Sequence, residues 1–186
     1  MGFLRRIFAF GLRASAAFAR RRDGSSAAEF AMVAPIFIIL ILATFQVSVI
    51  YLANAYLETA AEDAARLVLT NQTGSMTATQ FQTALCNYMT ALFNCNNVMI
   101  SLSPATSTTS ISTAAPAFNA NGTLQNSLPY TQPKPGQIAV LQVLYQWPVI
   151  GLPYGWNFGG LGNGTYLMMS TQVFTTECPN ANCTAQ

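Results

Sequence analysis

The longest pattern in the chain is an apolar one. From Phe30 to Leu57 the sequence reads FAMVAPIFIILILATFQVSVIYLANAYL, and between Glu29 and Glu58 no side chain is charged at neutral pH. A helix needs ~20 such residues to cross a ~30 Å hydrocarbon core, so the run predicts a membrane-spanning helix with a turn or two to spare. The period then tightens to an amphipathic one. Leu57, Ala60, Ala61, Ala64, Leu67 and Val68 recur at helical spacing while Glu58, Glu62 and Arg66 fall on another face, which continues the helix until Asn71 and Gly74 stop it. A second helix is predicted from about Thr77 to Phe93, with Phe81, Leu85, Tyr88, Met89 and Leu92 as its apolar face. Val98, Ile100 and Leu102 alternate as a short strand,. Residues 103–136 are rich in Ser, Thr, Pro, Asn and Gly and read as a long irregular loop,. Two β-branched, aromatic-rich strands follow, Gln137–Trp147 and Thr165–Thr176, joined through Pro148, Pro153 and the string GWNFGGLGNG. The expected fold is α+β: one long N-terminal transmembrane helix running into a small domain with a second helix and an antiparallel sheet.

Charge gives this layout a direction. Of 186 residues only 8% are charged, against 52% hydrophobic, and the basic ones are not spread evenly. Arg5, Arg6, Arg13, Arg20, Arg21 and Arg22 precede the apolar run, while Ser25 onward carries only Arg66 and Lys134 against Glu29, Glu58, Glu62, Asp63 and Glu177, a net −3. The overall +2 therefore belongs to one end of the chain and does not point to nucleic acid. Positive flanks stay cytoplasmic, so residues 1–24 are expected inside and the chain after Tyr56 outside. Pro35 lies within the apolar run and is expected to kink it, since it removes a backbone bond to Ala31. Small residues at four-residue spacing, Ala27/Ala31, Ala60/Ala64 and Ala61/Ala65, permit close helix approach. Outside the membrane, packing against the chain's own domain is the favoured use.

The four cysteines, Cys86, Cys95, Cys178 and Cys183, all fall in the predicted exported part. In an oxidising compartment two disulfides are expected. Three connectivities exist, and the local pairs Cys86–Cys95 and Cys178–Cys183 are favoured. No metal is expected: the spacings lack a CxxC pair, and the chain has no histidine,. That lack also removes the usual general base and any Ser-His-Asp arrangement. The sequence reads as a non-enzyme without a cofactor. Tyr154, Trp156 and Phe158 stand in the glycine-rich connection, either folded over the sheet edge, the favoured reading, or as a contact surface for another subunit. Asn71, Asn121, Asn163 and Asn182 each begin an N-x-[ST] match, read as coincidence in an Asn- and Thr-rich chain.

Glu29 is the residue that anchoring alone does not explain. An interfacial carboxylate near a helix N-terminus is physically acceptable. Its company in RRRDGSSAAEF is more specific: arginines, Gly24, four small residues, then Glu29 and Phe30 at the head of a long apolar helix. This string resembles the type IV prepilin processing signal, G-x-x-x-x-E. Its continuation from GSSAAEFAMVAPIFIILILATFQ to LETAAEDAAR resembles the TadE-like family of Tad (Flp) pilus assembly systems, over roughly Arg22 to Arg66. The resemblance implies a pilin-like fold and cleavage between Gly24 and Ser25 by a membrane-embedded prepilin peptidase. It also implies that Glu29 pairs with the terminal amine of a neighbouring subunit. Such pairing offsets the desolvation of each charge and penalises misregistered subunits.

The implied layout is a cleaved leader over 1–24, a transmembrane and extended pilin-like helix over 25–73, and an exported domain over 74–186. The implied role is a minor pilin or pseudopilin of the bacterial inner membrane, with its domain in the periplasm. Its partners would be the membrane, prepilin peptidase and other pilin or pseudopilin subunits of an adhesive pilus. Competing readings are an uncleaved single-pass protein with an exported structural or binding domain, a secretory signal cut near Ala53-Asn54-Ala55, and an Arg-rich transit peptide. The secretory reading suffers because its apolar region exceeds the usual 7–15 residues.

Overall fold

A computed structural model describes residues 25–70, 72–74, 76–89, 92–151 and 159–178. Helix α1 spans Ser25–Leu69, 45 residues, and its assignment continues through Pro35. Two of its threonine hydroxyls bond to carbonyls within the helix. Thr44 Oγ1 donates to the Ile41 carbonyl at 2.8 Å and Thr59 Oγ1 to Ala55 at 3.0 Å, so these polar side chains add no unmet donor to an apolar surface. Arg66 sits in the last turn, where a cation complements the negative end of the helix dipole.

The chain divides into two compact units, one ending at Thr44 and the other comprising Phe45–Gln186. The last ~7 turns of α1, from Phe45 to Leu69, are thus part of the folded domain,. Ile50, Ala53, Leu57, Ala60, Ala64 and Val68 form a stripe with a mean spacing near 3.6, all buried in one core cluster with Phe81, Leu141 and Val143. The alanines therefore serve the domain's own packing, because a residue without a γ carbon lets the helix backbone approach closely.

Helix α2, Ala78–Tyr88, opens on a capping box in which Thr77 and Gln80 each satisfy the other's backbone N–H, at 3.3 and 2.9 Å,. It is shorter than the pattern predicts. Met89 is the C-cap, in extended conformation, and the chain turns back rather than continuing to Phe93. Gln82 causes part of this reversal: its Nε2 donates to the carbonyls of Cys95 and Val98, both at 2.9 Å, drawing the returning segment alongside the helix. Phe81 and Leu85 enter the core as expected, but Tyr88 and Leu92 are exposed, and Phe93 is buried from the loop.

Strands β1 (Val98–Ala105), β2 (Ile138–Pro148) and β3 (Thr165–Thr175) form an antiparallel sheet in the order β1-β2-β3. Val143 pairs with Ile100 on one side and Ser170 on the other. The helix-facing side carries Val98, Leu102, Leu141, Val143, Tyr145 and Met168. The opposite side of β2 is buried too, through Val140, Gln142 and Leu144, because the β1–β2 connection lies over it. Gln142 Nε2 donates to the Ala114 carbonyl at 3.2 Å and Gln146 Nε2 to that of Gly122. Cover on both faces explains why β2 reads as a nearly continuous apolar run rather than an alternating one.

Two further contacts fix this connection. Gly122 adopts φ 75° beside the Asn163 side chain, where any Cβ would collide with the amide,. At the edge of β1, Leu102 N–H donates to Pro129 at 2.9 Å and its carbonyl accepts from Thr131 at 2.8 Å, a short parallel bridge centred on Tyr130. Burial pushes the Tyr130 hydroxyl's pKa up, partly opposed by the hydrogen bond from Gln132,.

Candidate membrane and assembly segment

The first unit presents apolar side chains outward. Phe30, Met32, Val33, Ile36 and Phe37 are each more than 60% exposed, and the most apolar window of α1 is only 6% buried by the rest of the chain. Each large apolar side chain left in water forgoes roughly 1.5–3 kcal/mol of burial. A core helix of a water-soluble domain would be mostly covered; this one is not. Among the described residues it is the one helix long and apolar enough to cross a membrane.

The residues singled out from the sequence take these places. Gly24 lies outside the described residues, and Ser25 is the first residue of α1. Glu29 follows one turn later on an exposed position, with Phe30 beside it at 72% exposure. Glu29 lies beyond the first turn of α1, where the field of the helix N-terminus has largely fallen off. Pro35 is internal to the helix. Cys86 and Cys95 form a disulfide with Cα atoms 5.9 Å apart. Cys178 is exposed near the end of the described chain, and Cys183 lies outside it, as do Tyr154, Trp156, Phe158, Asn71 and Asn182.

Residues 24–66 match the family model for TadE-like proteins. The TadE-like segment thus runs from the glycine of the G-x-x-x-x-E string to Arg66, taking in the exposed apolar stretch and most of the buried alanine face. It stops before α2 and the sheet. No curated protein and no solved structure matches the chain.

No group of three or more His, Cys, Asp or Glu residues that would hold a metal occurs among the described residues. A cavity of about 250 Å³ between the sheet and the β1–β2 connection is lined by Ser101, Ser103, Asn126 and Gln142 among others, groups that hydrogen-bond but do not readily exchange protons at neutral pH. Asn163, part of an N-x-[ST] match, is already engaged. It donates to Gln146 at 3.1 Å and accepts from both the backbone and hydroxyl of Thr165. Gln46 was not singled out from the sequence, although an amide within an apolar run is a signal in itself. Its partner is Ile150.

Proposed function

We propose that this chain is a minor pilin or pseudopilin that takes part in assembling a Tad-type (Flp) pilus. The carrying observation is the coincidence of the TadE-like match over 24–66 with a helix whose apolar surface is left uncovered. In this reading prepilin peptidase cuts between Gly24 and Ser25 on the cytoplasmic side of the inner membrane. Gly24 suits a protease cleft because it has no side chain to exclude, and the cut creates an ammonium at Ser25. The proposed layout is a leader over 1–24, a transmembrane and extended pilin-like helix over 25–73 and an exported domain over 74–186.

Glu29 acts as a registry device. Its carboxylate, four residues from the new terminus, meets the Ser25 ammonium of a neighbouring subunit, and a mispaired neighbour leaves both charges poorly compensated in a low-dielectric setting. Phe30 and the apolar residues after it supply the lipid- or subunit-facing surface. The arginine-rich leader keeps the N-terminus cytoplasmic. The domain is a structural or binding element, not a catalyst.

N-terminal sequencing of the membrane-fraction protein tests the proposal. A start at Ser25 is expected. A start at Met1 would replace it with an uncleaved single-pass protein bearing an exported binding domain, and a start near Tyr56 would indicate ordinary secretion.

A further inference from the structure

Gln46 lies on the same helical face as Ile50, Ala53 and Leu57, within the folded unit. With the amide oriented to suit its partners, its nitrogen donates to the Ile150 carbonyl at 3.2 Å and its oxygen accepts from the Ile150 N–H at 3.1 Å,. Two bonds to the backbone of one residue pin the segment just after β2 at this level of α1. The Ile150 side chain does not turn into the core that lies close by. It is 76% exposed, and the neighbouring Gly151 is exposed as well.

The level at which Ile150 is held is informative. A helix rises 1.5 Å per residue, so the ~20 residues from Phe30 to about Val49 account for a ~30 Å hydrocarbon core. Gln46 lies in the last turn of that stretch. Just beyond it, Tyr51 is 78% exposed and Tyr56 41%. An exposed tyrosine directly after a stretch of that length suits the headgroup level, where the ring is apolar and the hydroxyl wet. None of Gln46, Val149, Ile150, Gly151, Tyr51 and Tyr56 is charged. What these residues share with a bilayer is apolar surface and hydrogen-bonding groups, not countercharge.

We propose that Ile150, tethered to Gln46, inserts into the boundary between headgroups and acyl chains of the leaflet on the domain's side. The folded domain then touches the membrane at a second place besides the spanning helix. The partner is a phospholipid surface, recognised through apolar contact, so association of this site does not depend on anionic lipid or on salt. This inference rests on α1 spanning a membrane.

The test uses the full chain in phosphatidylcholine vesicles. Its two tryptophans are replaced (Trp147→Phe, which keeps a ring against Phe93, and Trp156→Phe), and single tryptophans are placed by Ile150→Trp, by Phe37→Trp in the span and by Ile111→Trp on the β1–β2 connection. Formation of the Cys86–Cys95 bond, read by thiol labelling, confirms folding of each variant. With lipids brominated near the headgroup end of the acyl chains, the Ile150→Trp emission is expected to fall by about half, as suits a side chain ~5–10 Å deep. The loss should be the same at high salt, whereas the Ile111→Trp emission stays unchanged. Adding Gln46→Leu should reduce the quenching at position 150. Quenching at position 37 by lipids brominated near the acyl-chain ends, without quenching at 150 by the shallow-brominated ones, overturns the proposal and leaves the spanning helix intact. Quenching at neither overturns both, and quenching at 150 that persists with Gln46→Leu overturns the tethering by Gln46.

Discussion

Cys86 at the end of α2 is bonded to Cys95, nine positions on, with Cα atoms 5.9 Å apart. The bond closes the reversal that brings Phe93 into the core, where its ring meets Tyr145 edge to face at 5.0 Å between centroids. Closing a loop of this length removes about 2–3 kcal/mol of unfolded-state entropy in the chain-entropy account. Cys86→Ser, Cys95→Ser and the double variant should each destabilise the full-length protein by about that amount. Denaturant titration followed by tryptophan fluorescence measures it. Reducing the wild type should reproduce the loss, while the reduced double variant should show no further change.

Ala64 is fully buried in the core of the folded unit. Ala64→Leu adds three carbons where the backbone of α1 approaches the domain, and overpacking of this kind costs roughly 1–3 kcal/mol. The isolated chain in detergent should lose that stability in the same titration. If the small-residue face served a partner helix instead, the variant would unfold as wild type does and fail only in assembly.

Gly24→Leu places a branched side chain beside the proposed scissile bond. The precursor should remain uncleaved in the membrane fraction, seen as a band larger than the mature protein by the 24 residues of the leader. Normal maturation of this variant would move the processing site elsewhere.

Glu29→Ala separates cleavage from assembly. The variant should mature normally, since the glycine and its small neighbours are untouched, but partner subunits should no longer co-purify with it and pili should be lost or sparse. Because Glu29 is exposed on the helix, the fold of the chain should be unchanged, which the denaturation midpoint checks. Unimpaired assembly would remove the registry role.

Much of the architecture was legible because it follows from periodicity. The charge-free run from Phe30 to Leu57 marked α1, and the β-branched stretches around Val143 and Val173 marked β2 and β3 to within a residue or two. The end of α2 was misread because Leu92 and Phe93 extend an apolar helical pattern, while the features that break it are tertiary. The Gln82 bonds to Cys95 and Val98 and the pull of the core on Phe93 have no local signature. The stretch 103–136 read as one irregular loop, although β1 continues into it as far as Ala105; its role as the cover of one face of the sheet was not visible, because its bonds come from Gln142 and Gln146 far along the chain. For the candidate site, Glu29 and Pro35 stood out by being foreign to an apolar run. Gln46 was equally foreign, and only its bond to Ile150 gave it meaning.

The parallel bridge at Leu102 has a consequence for how copies of this chain can meet. A sheet edge with free N–H and C=O groups is a template on which an identical strand can be laid. Along β1 that template is interrupted at its middle, because Leu102 has already spent both groups on Pro129 and Thr131. Two molecules meeting edge to edge there would first have to strip out the covering segment, losing its bonds before gaining any of their own. In the proposed membrane setting, where copies would share one plane and one orientation, this flank is shielded from runaway strand-to-strand stacking.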